Sequence, residues 1–130
     1  MITAQSRDDL SINSGFSLQK CNITASPELA PFIATVKTFF GRPWRDFSTV
    51  AVVESYMVDL VDPSGWSDWN GKIVTTTIYR EADTTRRVNW TTGFKAVTDP
   101  KEVSNFTVTK LLLYGELWLN ATGVPYQGGL

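Results

Sequence analysis

The chain has 130 residues, about one domain, and is 42% hydrophobic and 19% charged, which excludes a disordered or collagen-like chain. Twelve Lys+Arg against thirteen Asp+Glu leave a net charge of −1, and Arg86-Arg87 is the one adjacent basic pair, so no nucleic-acid partner is expected. There is no histidine and one cysteine, Cys21, which excludes Ser–His–Asp and Cys–His triads, histidine or thiolate zinc sites, and a disulfide within the chain. No metal and no cofactor is expected. No apolar run approaches the roughly eighteen residues of a membrane span.

Taken in order, the first third predicts short strands. Phe16 and Leu18 alternate with Ser17 and Gln19; then the phase slips, and Cys21 and Ile23 carry the alternation on. Such a slip predicts a bulge or a corner rather than one long strand. Val36 to Phe40 is a further short run, closed by Gly41 and Pro43. Val50 to Val53 is continuously apolar and is followed by Tyr56-Met57-Val58. Unbroken runs of this kind suit a strand buried on both faces, as in a parallel sheet. Phe16, Leu18, Val50 and Val52 are expected to point inward. Asp62-Pro63-Ser64-Gly65 predicts a turn, and the Thr-rich stretch from Ile73 to Tyr79 another strand.

The last thirty residues change character. Asp99 as N-cap, Pro100 at the first helical position and Glu102 at the third predict a helix start. Val103 and Phe106 share one face of that helix, and Thr107 is expected to cap a second turn carrying Leu111 and Leu112. Gly123, Pro125 and Gly128-Gly129 predict an irregular end. No repeat, low-complexity tract or linker divides the chain, so residues 1–130 read as one domain. Strands with helices gathered at one end fit a parallel β-solenoid with a helical cap, with a β-sandwich as the competing architecture.

Without histidine, acid–base chemistry falls to carboxylates, lysine or tyrosine. Asp8-Asp9 read as a solvated loop, Asp59 and Asp62 as turn caps, and Glu81 and Asp83 with Arg80, Arg86 and Arg87 as a solvated face. Ser64 and Ser67 lack the G-x-S-x-G context of a nucleophile elbow. The five tryptophans, Trp44, Trp66, Trp69, Trp90 and Trp118, say more. Aromatic rings beside turns and polar groups can stack on the apolar faces of sugars, although ordinary core packing accounts for at least three of them.

Four of the six asparagines, Asn22, Asn89, Asn105 and Asn120, stand in N-x-Thr sequons, where 26 Ser and Thr residues predict roughly one by chance. That makes them glycosylation candidates and points to the secretory pathway. Met1-Ile2-Thr3-Ala4-Gln5 has neither the basic nor the apolar region of a signal peptide.

A family resemblance rests on blocks in register along the whole chain. Gly41-Arg42-Pro43-Trp44, within Phe39-Phe40-Gly-Arg-Pro-Trp-Arg45-Asp46-Phe47-Ser48, resembles the Gly-Arg-Pro-Trp motif of plant pectin methylesterases. Ile2-Thr3-Ala4-Gln5-Ser6-Arg7 is similar to the family's Thr-Ala-Gln-x-Arg segment. Gly15-Phe16-Ser17-Leu18-Gln19-Lys20-Cys21 is similar to its Gly-Ile-Ser-Ile-Gln-Asn-Cys strand. Asp62-Pro63-Ser64-Gly65-Trp66 with Trp69-Asn70-Gly71 is similar to its Pro-x-Gly-Trp…Trp-x-Gly block. Arg87-Val88-Asn89-Trp90, Phe106-Thr107-Val108 and the stretch from Trp118 to Tyr126 match its C-terminal landmarks.

The resemblance implies an all-β, right-handed parallel β-helix, here a partial solenoid with short C-terminal helices. It implies a secreted, glycosylated, cell-wall (apoplast) enzyme that hydrolyses the methyl esters of homogalacturonan in pectin, with a proteinaceous inhibitor as a further partner. Two aspartates do that chemistry, with glutamines holding the oxyanion. Both lie upstream of the Thr-Ala-Gln segment, so residues 1–130 correspond to the C-terminal portion of the catalytic domain, an incomplete domain expected to be inactive alone. The alternatives are a non-enzymatic pectin-binding remnant and an inert truncated product. By the same resemblance Arg42 orients the nucleophilic aspartate, and Arg42, Trp44 and Trp66 contact substrate. Cys21 matches a cysteine paired with an upstream partner. Between Tyr79 and Arg87 the chain is short of the family pattern by about eight residues.

Overall fold

In the computed structural model, which describes residues 1–57, 60–68, 77–79, 94–96 and 99–130, every described strand pair is parallel. Three strands, β1 (Thr3–Gln5), β2 (Phe16–Gln19) and β3 (Asn22–Ile23), make one coil. The next coil repeats them as β4 (Gly41–Pro43), β5 (Val50–Val53) and β6 (Tyr56–Met57). β1 pairs with β4, β2 with β5 and β3 with β6. Beyond them, Gly41 bridges Trp66 and Thr38 bridges Val61, and β7 (Thr77–Tyr79) lies alongside β5 and pairs with β8 (Phe94–Ala96). β1, β2 and β3 each thus find their partner a whole coil away, which is the parallel solenoid and not the sandwich.

The continuous run Val50–Val53 is buried throughout because both faces of β5 are covered. Val50 and Val52 point into the coil and pack with Phe40, Leu18, Ile23, Met57, Val61 and Trp66. Ala51 and Val53 point out and are covered by Val103 and Phe106 of the C-terminal cap. Of the four residues expected inside, Val50 and Val52 are buried and Leu18 half-buried, but Phe16 is 44% exposed. The reason is its place: among the described strands β2 has β5 as neighbour on one side and none on the other.

The phase slip is a corner. Lys20, between β2 and β3, has φ 51°, and Glu54, at the same place one coil on, has φ 48°. The Ser55 hydroxyl closes the corner: it accepts from the Cys21 amide at 3.0 Å and lies 3.1 Å from the Leu18 carbonyl and 3.0 Å from that of Val53.

The run from Val36 to Phe40 is not a strand. The Val36 amide donates to the Phe32 carbonyl in a turn, and the pairing with β1 begins only where Ile2 and Thr3 donate to the Phe39 and Phe40 carbonyls. The strand itself is Gly41–Pro43, the residues expected to end one. Gly41 is required by close approach: a Cβ there would run into Thr3 Oγ1 and lie 2.6 Å from the Trp66 ring. The turn at Asp62–Gly65 forms as expected, closed by Gly65 N–H to Asp62 carbonyl at 2.7 Å with Gly65 at φ 70°.

The cap begins at α1 (Pro100–Val103), where the Asp99 carboxylate accepts from the Lys101 amide at 2.9 Å. Val103 and Phe106 do share the packed face. Thr107 takes the N-cap position of α2 (Val108–Leu111) as expected, but its hydroxyl makes no capping bond and donates back to the Ser104 carbonyl at 2.8 Å. A further helix, α3 (Gly115–Thr122), was not expected; it starts from Tyr114 in the left-handed region (φ 54°) with no polar cap. Asp59, Trp69, Glu81, Asp83, Arg86, Arg87, Asn89 and Trp90, and the short stretch between Tyr79 and Arg87, lie outside the described residues.

Candidate functional site

β4 alternates: Gly41 and Pro43 are buried and Arg42 faces outward. Arg42 lies beside Ala4 of β1 on one side, and its Nη2 donates to Ser67 Oγ at 3.1 Å on the other. The guanidinium is half-buried. Trp44 takes the next outward position and is 51% exposed.

The backbone under Trp44 is held from below by Gln5. The Gln5 carbonyl accepts from the Trp44 amide at 3.0 Å and from the buried Ser48 hydroxyl at 2.5 Å. Its side-chain Oε1 accepts from the amides of Arg7 and Thr49, each at 3.0 Å. Ser48 Oγ also lies 2.8 Å from the Arg45 carbonyl, so the turn after Trp44 is pinned at both ends. Gln5, Ser48 and Ser67 thus brace Arg42, Trp44 and the turn after them, which reading for chemistry overlooks. The signal for Ser67 is its place one residue after Trp66, the bridge partner of Gly41.

Trp66 differs from Trp44. It is half-buried and its ring packs against Phe40, centroids 6.0 Å apart at 36°. Trp118 is 48% exposed on α3.

Asp9 and Asp62 are committed to turns. Asp62 Oδ1 accepts from the Ser64 hydroxyl at 2.6 Å and the Ser64 amide at 2.9 Å, and Oδ2 faces Lys37 Nζ at 3.1 Å. Those two Ser64 bonds, and then the lysine, lower its pKa to about 2. Asp9 accepts from the Ser11 amide at 2.8 Å, and that bond, followed by the Ser11 side chain and the Arg7 charge, lowers its pKa. Asp8 and Asp9 are both exposed. Neither Asp9 nor Asp62 is poised to exchange a proton near neutral pH. Ser64 is tied to Asp62 and Ser67 to Arg42. Cys21 is a half-buried free thiol. Among the described residues, no group of three His, Cys, Asp or Glu side chains could hold a metal ion.

Asn22, Asn105 and Asn120 are exposed. Asn120 Nδ2 donates to the Glu116 carbonyl at 3.0 Å, and its Oδ1 accepts from the Tyr126 hydroxyl at 3.1 Å.

The Pectinesterase family model matches residues 1–116. The chain belongs to the pectinesterase family. A probable pectinesterase/pectinesterase inhibitor 19 of Arabidopsis thaliana is 54% identical across the whole chain, and pectinesterase 2.1 of Solanum lycopersicum is 43% identical. The chain spans 26% and 25% of the lengths of these two relatives. The solved structure of pectin methylesterase from carrot superposes with a TM-score of 0.84 at 36% identity, over 99% of this chain and 42% of that one. This likeness places the coils in the parallel β-helix fold. Both alignments to the plant relatives run over 138 residues against the 130 of this chain.

Proposed function

We propose that residues 1–130 form the C-terminal portion of a pectin methylesterase catalytic domain, one that removes methyl esters from homogalacturonan and needs no cofactor. The observation that carries this reading is the outward pair of Arg42 on β4 and Trp44 directly after it, its amide held by the Gln5 carbonyl, in a chain of this family. A guanidinium can hold a carboxylate through two parallel hydrogen bonds and keep it ionised and aimed. An exposed indole offers a flat face to a sugar ring.

In the proposed reaction the nucleophilic aspartate comes from upstream of this segment and Arg42 orients it. The carboxylate attacks the ester carbonyl, and a second aspartate gives the departing methoxide its proton, so methanol leaves. Water, deprotonated by that same aspartate, then cleaves the acyl-enzyme and frees the galacturonate acid. The chain supplies the positioning arginine and the Trp44 face, with Trp66 as a further substrate contact that also braces the coil. Alone it releases no methanol. Half-exposed Trp44 also favours a second reading, in which the chain binds pectin without acting on it.

The same reading makes the protein a secreted one of the plant cell wall, with Asn22, Asn89, Asn105 and Asn120 as glycan acceptors. Some relatives carry the name pectinesterase/pectinesterase inhibitor, and a proteinaceous inhibitor is the proposed protein partner.

The test is a chimera in which this chain replaces the matched stretch of the carrot enzyme. Methanol release from methyl-esterified pectin is expected, with at least a tenfold loss of kcat in Arg42→Ala and a raised KM in Trp44→Ala. A folded chimera with no turnover, or one indifferent to Arg42→Ala, overturns the reading.

A further inference from the structure

The coils present three lateral faces, and two of them are taken. β1 and β4 turn Arg42 outward, with Trp44 directly after it. The outward side chains of β5 lie under Val103 and Phe106 of the cap. The third face, β3 with β6, is open. Ile23 and Met57 pack inward on the core of Phe40, Val50 and Val52, so the alternation of each strand turns Asn22 and Tyr56 outward. Asn22 is exposed and Tyr56 is 60% exposed. The two are register partners one coil apart, and the Tyr56 amide donates to the Cys21 carbonyl at 2.8 Å, which fixes that register. Paired strands lie about 4.8 Å apart, so the two side chains leave the same face as immediate neighbours.

Asn22 opens the sequon Asn22-Ile23-Thr24, and Thr24 is exposed with it. The other described sequons sit differently. At Asn105 the following Phe106 packs on β5, and Thr107 is buried with its hydroxyl on the Ser104 carbonyl at 2.8 Å. At Asn120 both ends of the amide are engaged, Nδ2 by the Glu116 carbonyl and Oδ1 by the Tyr126 hydroxyl. The Thr122 hydroxyl donates to the Leu119 carbonyl at 2.6 Å. Among the described sequons, Asn22 alone has an exposed aromatic ring fixed beside it by strand pairing.

We propose that Asn22 carries an N-glycan and that Tyr56 is its platform: the first N-acetylglucosamine lies with an apolar face on the Tyr56 ring, on the solenoid face that bears neither Arg42 nor the cap. In the transfer, Asn22 Nδ2 displaces the diphosphate from C1 of a lipid-diphosphate-linked oligosaccharide. The N–C1 bond forms, the C1–O bond breaks, and the amide releases one proton. A single exposed tyrosine is ordinary on a protein surface. Its fixed place one coil from the glycan nitrogen makes it a platform, because an aromatic face matches the C–H face of a sugar. The inference rests on the reading of the protein as secreted and glycosylated.

The test uses the carrot chimera, secreted from a eukaryotic host fed isotope-labelled N-acetylglucosamine. Glycopeptide mass spectrometry should find Asn22 occupied. The N-acetyl methyl resonance lost in Asn22→Gln should lie upfield of its position in the denatured glycoprotein, displaced by the Tyr56 ring current. Tyr56→Leu should abolish that displacement with Asn22 still occupied, and Tyr56→Phe should keep it. Tyr56→Thr is the second ringless variant, should Tyr56→Leu not fold. An occupied Asn22 whose resonance ignores loss of the ring overturns the platform. Occupancy at other sequons but not at Asn22 overturns the site and leaves the secreted, glycosylated reading standing. No occupancy at any sequon overturns both, and methanol release then judges the esterase reading separately. Asn22→Gln should release methanol at the parent rate; a tenfold loss in a folded variant overturns the placement away from Arg42. Should the chimera not be secreted, Asn22-Ile23-Thr24 and Tyr56 are grafted at the aligned positions of the carrot enzyme, where the same occupancy and resonance decide.

Discussion

Lys20 and Glu54 occupy the same left-handed corner in successive coils, at φ 51° and 48°, and Lys20 Nζ stands 3.8 Å from Glu54 Oε2. A left-handed residue other than glycine is strained by about 1–2 kcal/mol. The ion pair, half-exposed on the lysine side, returns at most about 1 kcal/mol. The corner is kept because Gln19–Val53 and Asn22–Tyr56 must pair on either side of it.

Glycine at this corner relieves the strain but adds freedom to the unfolded chain, and the two effects nearly cancel. Glu54→Gly should therefore stay within about 1 kcal/mol of the parent in urea unfolding. Glu54→Val, with a β-branched side chain that resists positive φ, should lose about 2 kcal/mol. Equal losses in both variants would show that the ion pair, not the backbone, governs the corner.

Gly41→Ala tests the close approach of β1, β4 and Trp66. The added Cβ meets Thr3 Oγ1 and the Trp66 ring at once, and the Thr3 carbonyl at 3.0 Å. Neither backbone nor a ring packed on Phe40 gives way easily. Overpacking of this kind costs about 1–3 kcal/mol. The expected result is a lower urea midpoint together with a changed near-ultraviolet signal from Trp66. An unchanged spectrum would mean that the ring is not seated against this glycine.

The features legible in the sequence are those with local causes. Asp99-Pro100 marks a helix start whatever surrounds it, and Asp62–Gly65 closes its own turn. The unbroken apolar run at Val50–Val53 announces two covered faces because no solvent-facing residue interrupts it. Strand β4 was hidden because Gly41 and Pro43 read as breakers, whereas a three-residue parallel rung tolerates proline at its edge and here demands glycine. The exposure of Phe16 follows from which strands stand beside β2, and α3 gives no local signal because its Leu117 and Trp118 are exposed and no polar side chain caps it. The motif around Arg42 and Trp44 could be read directly. Their supports, Ser67 and Gln5, come from other rungs of the solenoid.

Asp62 couples the turn to pH. Its carboxyl falls from the ordinary 3.8 to about 2 through Ser64 first and Lys37 second. A depressed folded-state pKa means that the contribution to stability is complete above about pH 4 and is lost as pH falls through about 2. Asp62→Asn keeps an acceptor for Ser64 but drops the charge facing Lys37. The variant should be less stable than the parent at pH 6, and the difference should shrink steadily between pH 4 and pH 2. A gap that stays constant over that range would assign the effect to packing instead.

Binding by the isolated chain separates the pectin-binding reading from that of an inert product. De-esterified homogalacturonan is a polyanion, so Arg42 can pair with a galacturonate carboxylate while Trp44 stacks on the ring. One stacking contact and one charge-assisted hydrogen bond contribute on the order of 1–3 kcal/mol each before ordering costs. Together they give about 2–6 kcal/mol, which supports at best a Kd in the millimolar to high-micromolar range. The net charge of −1 adds no long-range attraction, so affinity should depend little on chain length beyond the contacted units. Titration with galacturonan oligomers should give a saturable change in tryptophan fluorescence. Arg42→Ala should abolish saturation and steepen no salt dependence, since its charge is the one neutralised. Trp44→Ala should remove both the signal and the binding, the latter checked by calorimetry. No change in the parent chain at millimolar oligomer would leave the inert product as the reading of the isolated segment.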